Sequence, residues 1–531
     1  MSTEVAESAW APLRVRAFRV LWFTQLGTMV GTWMQNVAAQ WLLVDKPGAA
    51  TLVALVQAAA MVPVLVLAMP AGALADIVDR RRMLIAVQAF QVTVGAVLVG
   101  LALAGRLSPR TLLTTTFLLG CGITVTMPGY QALVQDLVPR HLLRSVAGLN
   151  GVAINLARAV GPPVAGLLVA QSGVATVFAL NTLSYAALGA VLLGLRRPPE
   201  APNRLPERFA GALRAGARYV RHAPTVRRIV LRCLLFVVPG AALWALLPLV
   251  ASRLLHLDAS GYGLLLAALG VGAIGGAAVL PRIGARFTPN RLVLLAGIVF
   301  AGAALVSALV RNVVVVVVVL VPAGLAWLTV LATLNGMLQT FLPVWVRARG
   351  LSIYQMAFAG GQAIGSIIWG VVAQLWGVTS ALVTAGVLLA AGALSVIAVP
   401  LRDTGGLDRD PAVYWPQPHL EFDPELERGP VLVARRFTVA ADRVEGFLEA
   451  WKGVRRSRLR TGATSCALYR DGADTSRFVE VSLYPTWAEH LRQHEGRLTG
   501  ADRQVEAAAH ELANAPPHVE HLFPAHSDVP R

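Results

Sequence analysis

Charge is sparse in this chain. Asp, Glu, Lys and Arg make up 14% of its 531 residues, against about 25% in soluble domains, which excludes an ordinary water-exposed globule. Lysine is almost missing: Lys46 and Lys452 are the only two. The three cysteines, Cys121, Cys233 and Cys466, are widely separated and form neither a disulfide framework nor a metal spacing. No Asp or Glu falls in the middle of an apolar run, and Asp45 and Asp136 stand only at run ends. The mid-membrane carboxylate that proton-coupled pumps commonly carry is therefore not visible. The N-terminal stretch has no short apolar core with a small-residue cleavage site, so a cleaved leader is not expected.

Apolar sequence is abundant, at 56% hydrophobic residues. Runs of about 20 residues recur, the length that crosses a bilayer. The expected fold is an all-α membrane protein of twelve transmembrane helices in two six-helix pseudo-repeats, followed by a small α+β domain. The first six helices are expected at about 17–44, 51–75, 83–104, 111–135, 145–170 and 174–195. The second six are expected at about 227–251, 259–281, 290–310, 313–338, 350–375 and 378–400. Residues 1–195 then form an N-terminal half, 196–226 a cytoplasmic central loop, 227–400 a C-terminal half and 401–429 a linker, with a soluble domain at 430–523. The central loop is rich in Pro and Arg and carries a surface helix from about Glu207 to Arg221.

The net charge of +17 does not point to nucleic acid, because the excess lies mainly between apolar runs. Alternate loops hold Arg14, Arg16 and Arg19; Arg80, Arg81 and Arg82; Arg140 and Arg144; about nine arginines in the central loop; Arg282, Arg286 and Arg291; and Arg347 and Arg349. The opposite loops hold only Lys46, Arg106, Arg110, Arg253 and Arg311. The positive-inside rule puts both termini in the cytoplasm, with lipid as the surrounding partner. The preference for Arg over Lys is associated with GC-rich bacterial genomes, so the membrane expected is a bacterial inner membrane.

The chain also repeats itself. The stretch from Leu133 to Leu168 reappears 204 residues later, from Met337 to Val372. Gln135 falls on Gln339, Pro139 on Pro343, Gly161 on Gly365 and Gly166 on Gly370; outside the stretch, Gly72 falls on Gly276 and Arg82 on Arg286. Internal repeats in membrane chains are typical of secondary transporters, whose halves rock about a midplane site.

Two motifs lie on this frame. GALADIVDRRR, Gly72 to Arg82, joins a helix-end glycine, an acid and a basic cluster. Gly72 would let helices approach closely, and Asp76 would pair with an Arg or accept from a helix N-terminus. The second, ARAVGPPVAG, Ala157 to Gly166, puts Pro162 and Pro163 inside the fifth helix, where they should bend it. Arg158 is an intramembrane cation and by default a functional candidate; its repeat mate is the uncharged Gln362.

These motifs resemble the major facilitator superfamily. The resemblance implies a gating motif at Gly72, Asp76, Arg80 and Arg81, with Asp79 standing where the family usually has Gly. In the second half the same register reads Gly276, Leu280 and Gly284, so the acid is gone. The Gly-Pro stretch resembles the signature of the family's antiporters, assigning that role to Arg158, Gly161, Pro162 and Gly166 and favouring export over import. Within the superfamily the chain is similar to the enterobactin-exporter-like, drug-efflux branch of transmembrane secretion effector type. GTWMQNVAAQWLLV, ALWALLPLVASRLL, YGLLLAALGVGAIGG and VWVRARGLSIYQMAFAGGQAIGS carry that similarity.

Polar and aromatic residues set into the apolar helices mark a substrate cavity. Thr28, Thr32, Asn36 and Gln40 are four apart on one face of the first helix. Gln57, Tyr130, Gln131, Trp244, Asn335, Gln339, Tyr354 and Gln355 lie in other helices. A mostly apolar cavity with scattered hydrogen-bonding groups suits small, bulky, largely hydrophobic molecules such as drugs, siderophores or secondary metabolites. Proton coupling is what the resemblance implies.

The soluble segment reads βαββαβ, the ferredoxin-like order, and resembles the small dimeric α/β barrels related to antibiotic-biosynthesis monooxygenases. His490 and His494 lie four apart, after Trp487, a spacing that can place two metal ligands together. With no HExxH and no third ligand evident, neither a metal, a cofactor nor an enzyme activity is expected, and the domain reads as a regulatory or dimerising module. The sequence thus reads as an exporter. The rivals are an importer, a membrane-tethered enzyme, and a sensor using the C-terminal domain.

Overall fold

The computed structural model describes residues 10–195, 209–401, 408, 410, 412–416, 418 and 420–525; at 73, 75–77, 140, 144 and 209–215 it describes the backbone only. Much of the expected central loop, 196–208, lies outside the described residues, as does the side chain of Asp76. The chain forms two compact units. One comprises 1–206, 231–334 and 354–401; the other comprises 207–230, 335–353 and 402–531.

The first unit is a helical bundle. Its N-terminal half holds α1 (Arg16–Trp41), α2 (Ala49–Ile77), α3 (Arg80–Leu103), α4 (Pro109–Leu137), α5 (Leu143–Ser172) and α6 (Val174–Gly194). After the short helix α7 (Phe209–His222) come α8 (Pro224–Leu249, continued by a π-helical turn at Val250–Leu254), α9 (Ala259–Gly284), α10 (Pro289–Leu309), α11 (Val313–Phe341), α12 (Val344–Trp376) and α13 (Val378–Ala398). Eleven of the described helices are long and apolar enough to span a membrane. The twelfth, α1, has 26 residues but starts with Arg16 and Arg19 and carries seven Thr, Gln and Asn side chains between Thr24 and Gln40, which lower its hydropathy. It is held by packing against α5 and α6 instead.

Helix ends are closed by specific side chains. Asp79 has φ −53° and ψ 110°, and its carboxylate accepts from the backbone N–H of Arg82, so it is the N-cap of α3. That explains why an Asp can stand where the family usually has Gly: the turn needs a cap, and its φ is negative. The C-terminus of α6 is closed by Arg81, which donates to the carbonyls of Leu192 (2.8 Å) and Leu193 (2.7 Å). Arg232 does the same for α13, donating to the carbonyls of Gly392 (3.1 Å), Ser395 (2.8 Å) and Val399 (2.5 Å). A cation on the last carbonyls of a helix is worth up to about 2 kcal/mol when partly buried.

The second unit contains an antiparallel sheet with strand order β2-β3-β1-β4. Its elements are β1 (Val431–Thr438), α14 (Val444–Thr461), β2 (Ser465–Arg470), β3 (Arg477–Tyr484), α15 (Trp487–Arg492), α16 (Gly500–His510) and β4 (His518–Leu522). Alternation along β3 sends Phe478, Glu480, Ser482 and Tyr484 to the buried face, and Val479, Val481 and Leu483 to the half-exposed one. On that open face Tyr469 and Leu522 are also exposed. The unit includes α7 and the start of α12 as well. Tyr219 of α7 meets Trp345 edge-on at 5.7 Å, and Arg218 pairs with Glu489 at 3.3 Å. The Trp345 Nε1–H donates to the carbonyl of Arg497 (3.2 Å), whose guanidinium lies 4.8 Å over the same indole.

Candidate functional site

Half of the polar stripe on α1, Thr28 and Thr32, is used to hold α6. Asn181 donates to Gln35 at 2.5 Å and to the Tyr185 hydroxyl at 3.2 Å, and Thr32 lies 3.4 Å from that hydroxyl. Thr28 reaches the carbonyl of Ser184 at 3.4 Å. Gln35 lies off the four-residue spacing and was not among the expected residues. Gln40 accepts from Tyr262 of α9 at 2.5 Å, and Trp41 stacks on the same tyrosine at 6.0 Å. Asn36 and Gln57 are half-buried and have no hydrogen-bond partner among the described residues.

The other expected cavity residues are dispersed. Tyr130 is buried in the core of the N-terminal half with Phe18, Leu21, Leu84 and Leu133. Tyr354 is buried and donates to the Leu331 carbonyl at 3.3 Å. Gln131 and Gln355 are exposed, and Gln339 is bound to Asn335 one turn back at 2.5 Å. Trp244 is the member brought to a centre. Its ring lies 6.3 Å from Trp33 and 5.5 Å from Trp327, which also contacts Phe236, Phe300 and Phe358. The indole N–H of Trp244 is buried without a partner.

Arg158 stands at the end of this aromatic chain, its guanidinium 5.5 Å from the centroid of Trp33. Its Nε has no hydrogen-bond partner, and no carboxylate among the described residues pairs with it. Gln362, its repeat mate, is buried with an unpaired Oε1. Arg158, Trp33, Trp244, Trp327, Asn36 and Gln362 thus offer a cation, aromatic faces and unpaired amide atoms inside the bundle. Trp33 and Trp327 were missed in sequence because an aromatic in an apolar helix has no periodic signature.

The two halves meet through repeat-related glycines. A Cβ on Gly166 would lie 2.5 Å from the Ala259 carbonyl and 3.2 Å from Gly263 in α9; one on Gly370 would lie 2.5 Å from Ala54 and 3.1 Å from the Ala50 carbonyl in α2. Within each half, Gly161 packs on Trp33 and the Val30 carbonyl, and Gly365 on Ala241 and the Val238 carbonyl. Only glycine permits backbones this close. α5 runs unbroken through Pro162 and Pro163, which pack on Gly263. In the gating motif, Arg80 pairs with Asp136 at 2.7 Å and Arg81 caps α6. Among the described residues nothing would lie within 4 Å of a Cβ at Gly72.

The C-terminal domain holds a buried ion network. Arg458 bonds Glu480 (3.0 Å) and Glu506 (2.5 Å), and Arg435 bonds Glu480 (3.1 Å). Glu506 also accepts from the Tyr414 hydroxyl (2.6 Å) and the Trp415 indole (2.9 Å). Burial alone would raise the Glu506 carboxyl, but Arg458, Arg435 and Tyr414 bring it down to about 2. Beside the network is a cavity of about 690 Å³.

Residues 7–528 match the model of a family described as transmembrane secretion effector. A staphyloferrin A transporter of Staphylococcus aureus is 24% identical over 357 residues, covering 66% of this chain and 87% of that protein. The multidrug efflux pump Tap of Mycobacterium tuberculosis is 27% identical over 366 residues, covering 65% and 84%. The chain is similar in fold to a mutant form of the nucleoside transporter NupG, with a TM-score of 0.59 at 13% identity over 72% of this chain and 99% of that one. With its twelve-helix bundle, glycine-joined repeats and this match along nearly its whole length, the chain belongs to the transmembrane secretion effector family of major facilitator transporters.

Proposed function

We propose that this transporter exports small, largely hydrophobic molecules, such as drugs, siderophores or secondary metabolites, across a bacterial inner membrane in exchange for protons. Alternating access is carried by the pair of contacts at Gly166 and Gly370, which join the halves at positions 204 residues apart. They lie with the Gln40–Tyr262 bond at the end of the bundle away from the arginine-rich loops, the periplasmic end if both termini are cytoplasmic. Rocking the halves to release cargo there must break both. The aromatic chain from Trp33 to Trp327 supplies apolar faces for the cargo, and Arg158 supplies a cation for an anionic or electron-rich group on it. Export follows the efflux activity in the name of the Tap relative and the antiporter-like motif.

Accumulation of a dye and drug panel in everted vesicles, with and without a proton gradient, tests this reading. Gradient-dependent uptake of apolar substrates that stops with Arg158→Ala is the expected result; uptake equal in vesicles with and without the protein would end it. A second reading, in which the C-terminal domain senses a metabolite, is favoured by the cavity beside Glu506. Dimerisation through the half-exposed sheet face around Val481 and Tyr469 is part of that reading.

A further inference from the structure

Three histidines from two distant segments meet inside the C-terminal domain. His490 lies on α15 and His494 on the π-helical turn that follows it, Gln493–Arg497. The spacing of four puts both rings on one side of this segment. His521 comes from β4, opposite Val433 of β1, on the sheet face that packs under the helices. The His490 Nε2 lies 3.0 Å from the His521 Nε2 and 3.3 Å from the His494 Nε2. One ligand nitrogen from each ring falls within 4.8 Å of the other two. Metal–nitrogen bonds of 2.0–2.1 Å in a tetrahedron separate ligand nitrogens by about 3.3 Å.

Hydrogen bonding alone does not close this cluster. A neutral imidazole has one N–H, and each nitrogen is donor or acceptor, never both. The His490 Nε2 faces two neighbours and can satisfy only one of them by donation. The Nδ1 of His490 is buried without a partner, as is the hydroxyl of Tyr484, whose ring packs 4.7 Å from that of His490. Unmade bonds at buried polar atoms cost about 1–3 kcal/mol each, so their concentration around one trio is unusual for a packing core. A cation drawing on all three Nε2 lone pairs removes the conflict on that side.

We infer that His490, His494 and His521 form a binding site for a divalent transition-metal ion, with a further coordination position open to the adjoining cavity. Three neutral imidazoles suit zinc, copper, nickel or iron and not calcium or magnesium, which take oxygen ligands. A neutral imidazole offers a lone pair on one ring nitrogen, as a ligand must. Three protein ligands leave a position for a fourth, and His494 and His521 both line the 690 Å³ cavity. Arg435, Trp415 and Pro416 line it too. The nearby guanidinium opposes a bare cation and favours a negative fourth ligand, so the occupant expected is a planar organic anion with an oxygen donor.

Full-length protein in detergent, stripped with a chelator and freed of any polyhistidine tag, is titrated with Co²⁺. The expected result is one Co²⁺ per chain, with the visible bands of a low-coordinate imidazole site, displaced by Zn²⁺. His490→Ala and His521→Ala should each weaken binding by more than the roughly 10–100-fold that loss of an outer partner costs. His518→Ala, on the same strand with an exposed side chain, should leave it unchanged. Benzoate added to the cobalt form should shift the bands. Circular dichroism and a thermal melt check the fold of each variant; if the alanine forms do not fold, His494→Gln and His521→Gln replace them. Wild-type protein that folds but gives no cobalt spectrum, or equal binding in the folded histidine variants, overturns the site. Unshifted bands with benzoate overturn the open position.

Discussion

The guanidinium of Arg158 lies over the ring of Trp33, with no carboxylate from the described residues beside it. A cation inside a membrane bundle costs several kcal/mol by some estimates, and one aromatic face returns only about 0.5–2 kcal/mol. Gln362 occupies the equivalent position in the second half without a charge. In the proposed transport cycle, a cargo group or a moving element completes the contacts of Arg158.

Arg158→Ala should abolish transport, whereas Gln362→Ala should reduce it several-fold at most. Arg158→Lys should recover part of the activity, because a cation is restored without the planar face. Transport rates at matched membrane amounts decide this. Equal, mild losses in both alanine variants would show Arg158 to be a packing residue.

Gly166→Ala and Gly370→Ala should each impair transport, because the added methyl meets backbone or a short side chain at 2.5 Å. Overpacking of this kind costs about 1–3 kcal/mol, here charged to one conformation of the cycle. Gly148→Ala and Gly151→Ala, with nothing within 4 Å, are controls and should keep normal rates. Crosslinking between α5 and α9 should show a weakened closed state in the first pair alone.

Trp345 joins α12 to the C-terminal domain through Arg497 and to α7 through Tyr219. Trp345 is half-buried, and removing an aromatic anchor of a contact costs about 2 kcal/mol or more at a hot spot. Trp345→Ala should therefore speed proteolysis in the linker at 401–429 without stopping transport. Truncation after about residue 405 should lower the amount in the membrane, since Trp345 and Tyr219 lose their cover, but keep transport per molecule. Complete loss of transport at equal amounts would tie the domain to the transport step.

The carboxyl of Glu506 is held at about 2 in the folded domain. It is depressed from the ordinary value near 4.5, so its contribution is fully present above pH ~4.5 and is lost as the pH falls toward 2. The contribution is on the order of 3 kcal/mol. The groups facing it are Arg458 from α14, Tyr414 and Trp415 from the linker, Arg435 from β1 and His510 from its own helix. Hydrogen exchange in α14 and α16 should accelerate between those pH values. Glu506→Gln should be destabilised at neutral pH and show a flatter profile; an unchanged profile would remove Glu506 from the network.

Much of the bundle is legible in the sequence. Apolar runs set the helices, and a fixed offset linked Gly161 to Gly365 and Gly166 to Gly370, because repeated packing needs repeated small residues. The α1 stripe was legible as a polar face, but its use was not: Thr28, Thr32 and Gln40 bind α6 and α9, and Gln35 joins them. Residue type and spacing show that a group needs a partner, not which distant helix brings it. The isolated Trp33 and Trp327 gave no signal at all.

The C-terminal domain shows the same boundary. Alternation and turn residues determined its strands, its helices and their order, since these depend on neighbours in sequence. His490 and His494 were visible as a pair for the same reason. The position of His521 was decided only when β4 paired with β1 at the sheet edge, bringing a residue 27 positions past His494 to within ligand distance. Sequence determined what is local and periodic, while tertiary structure alone decided which separated polar groups share one buried space.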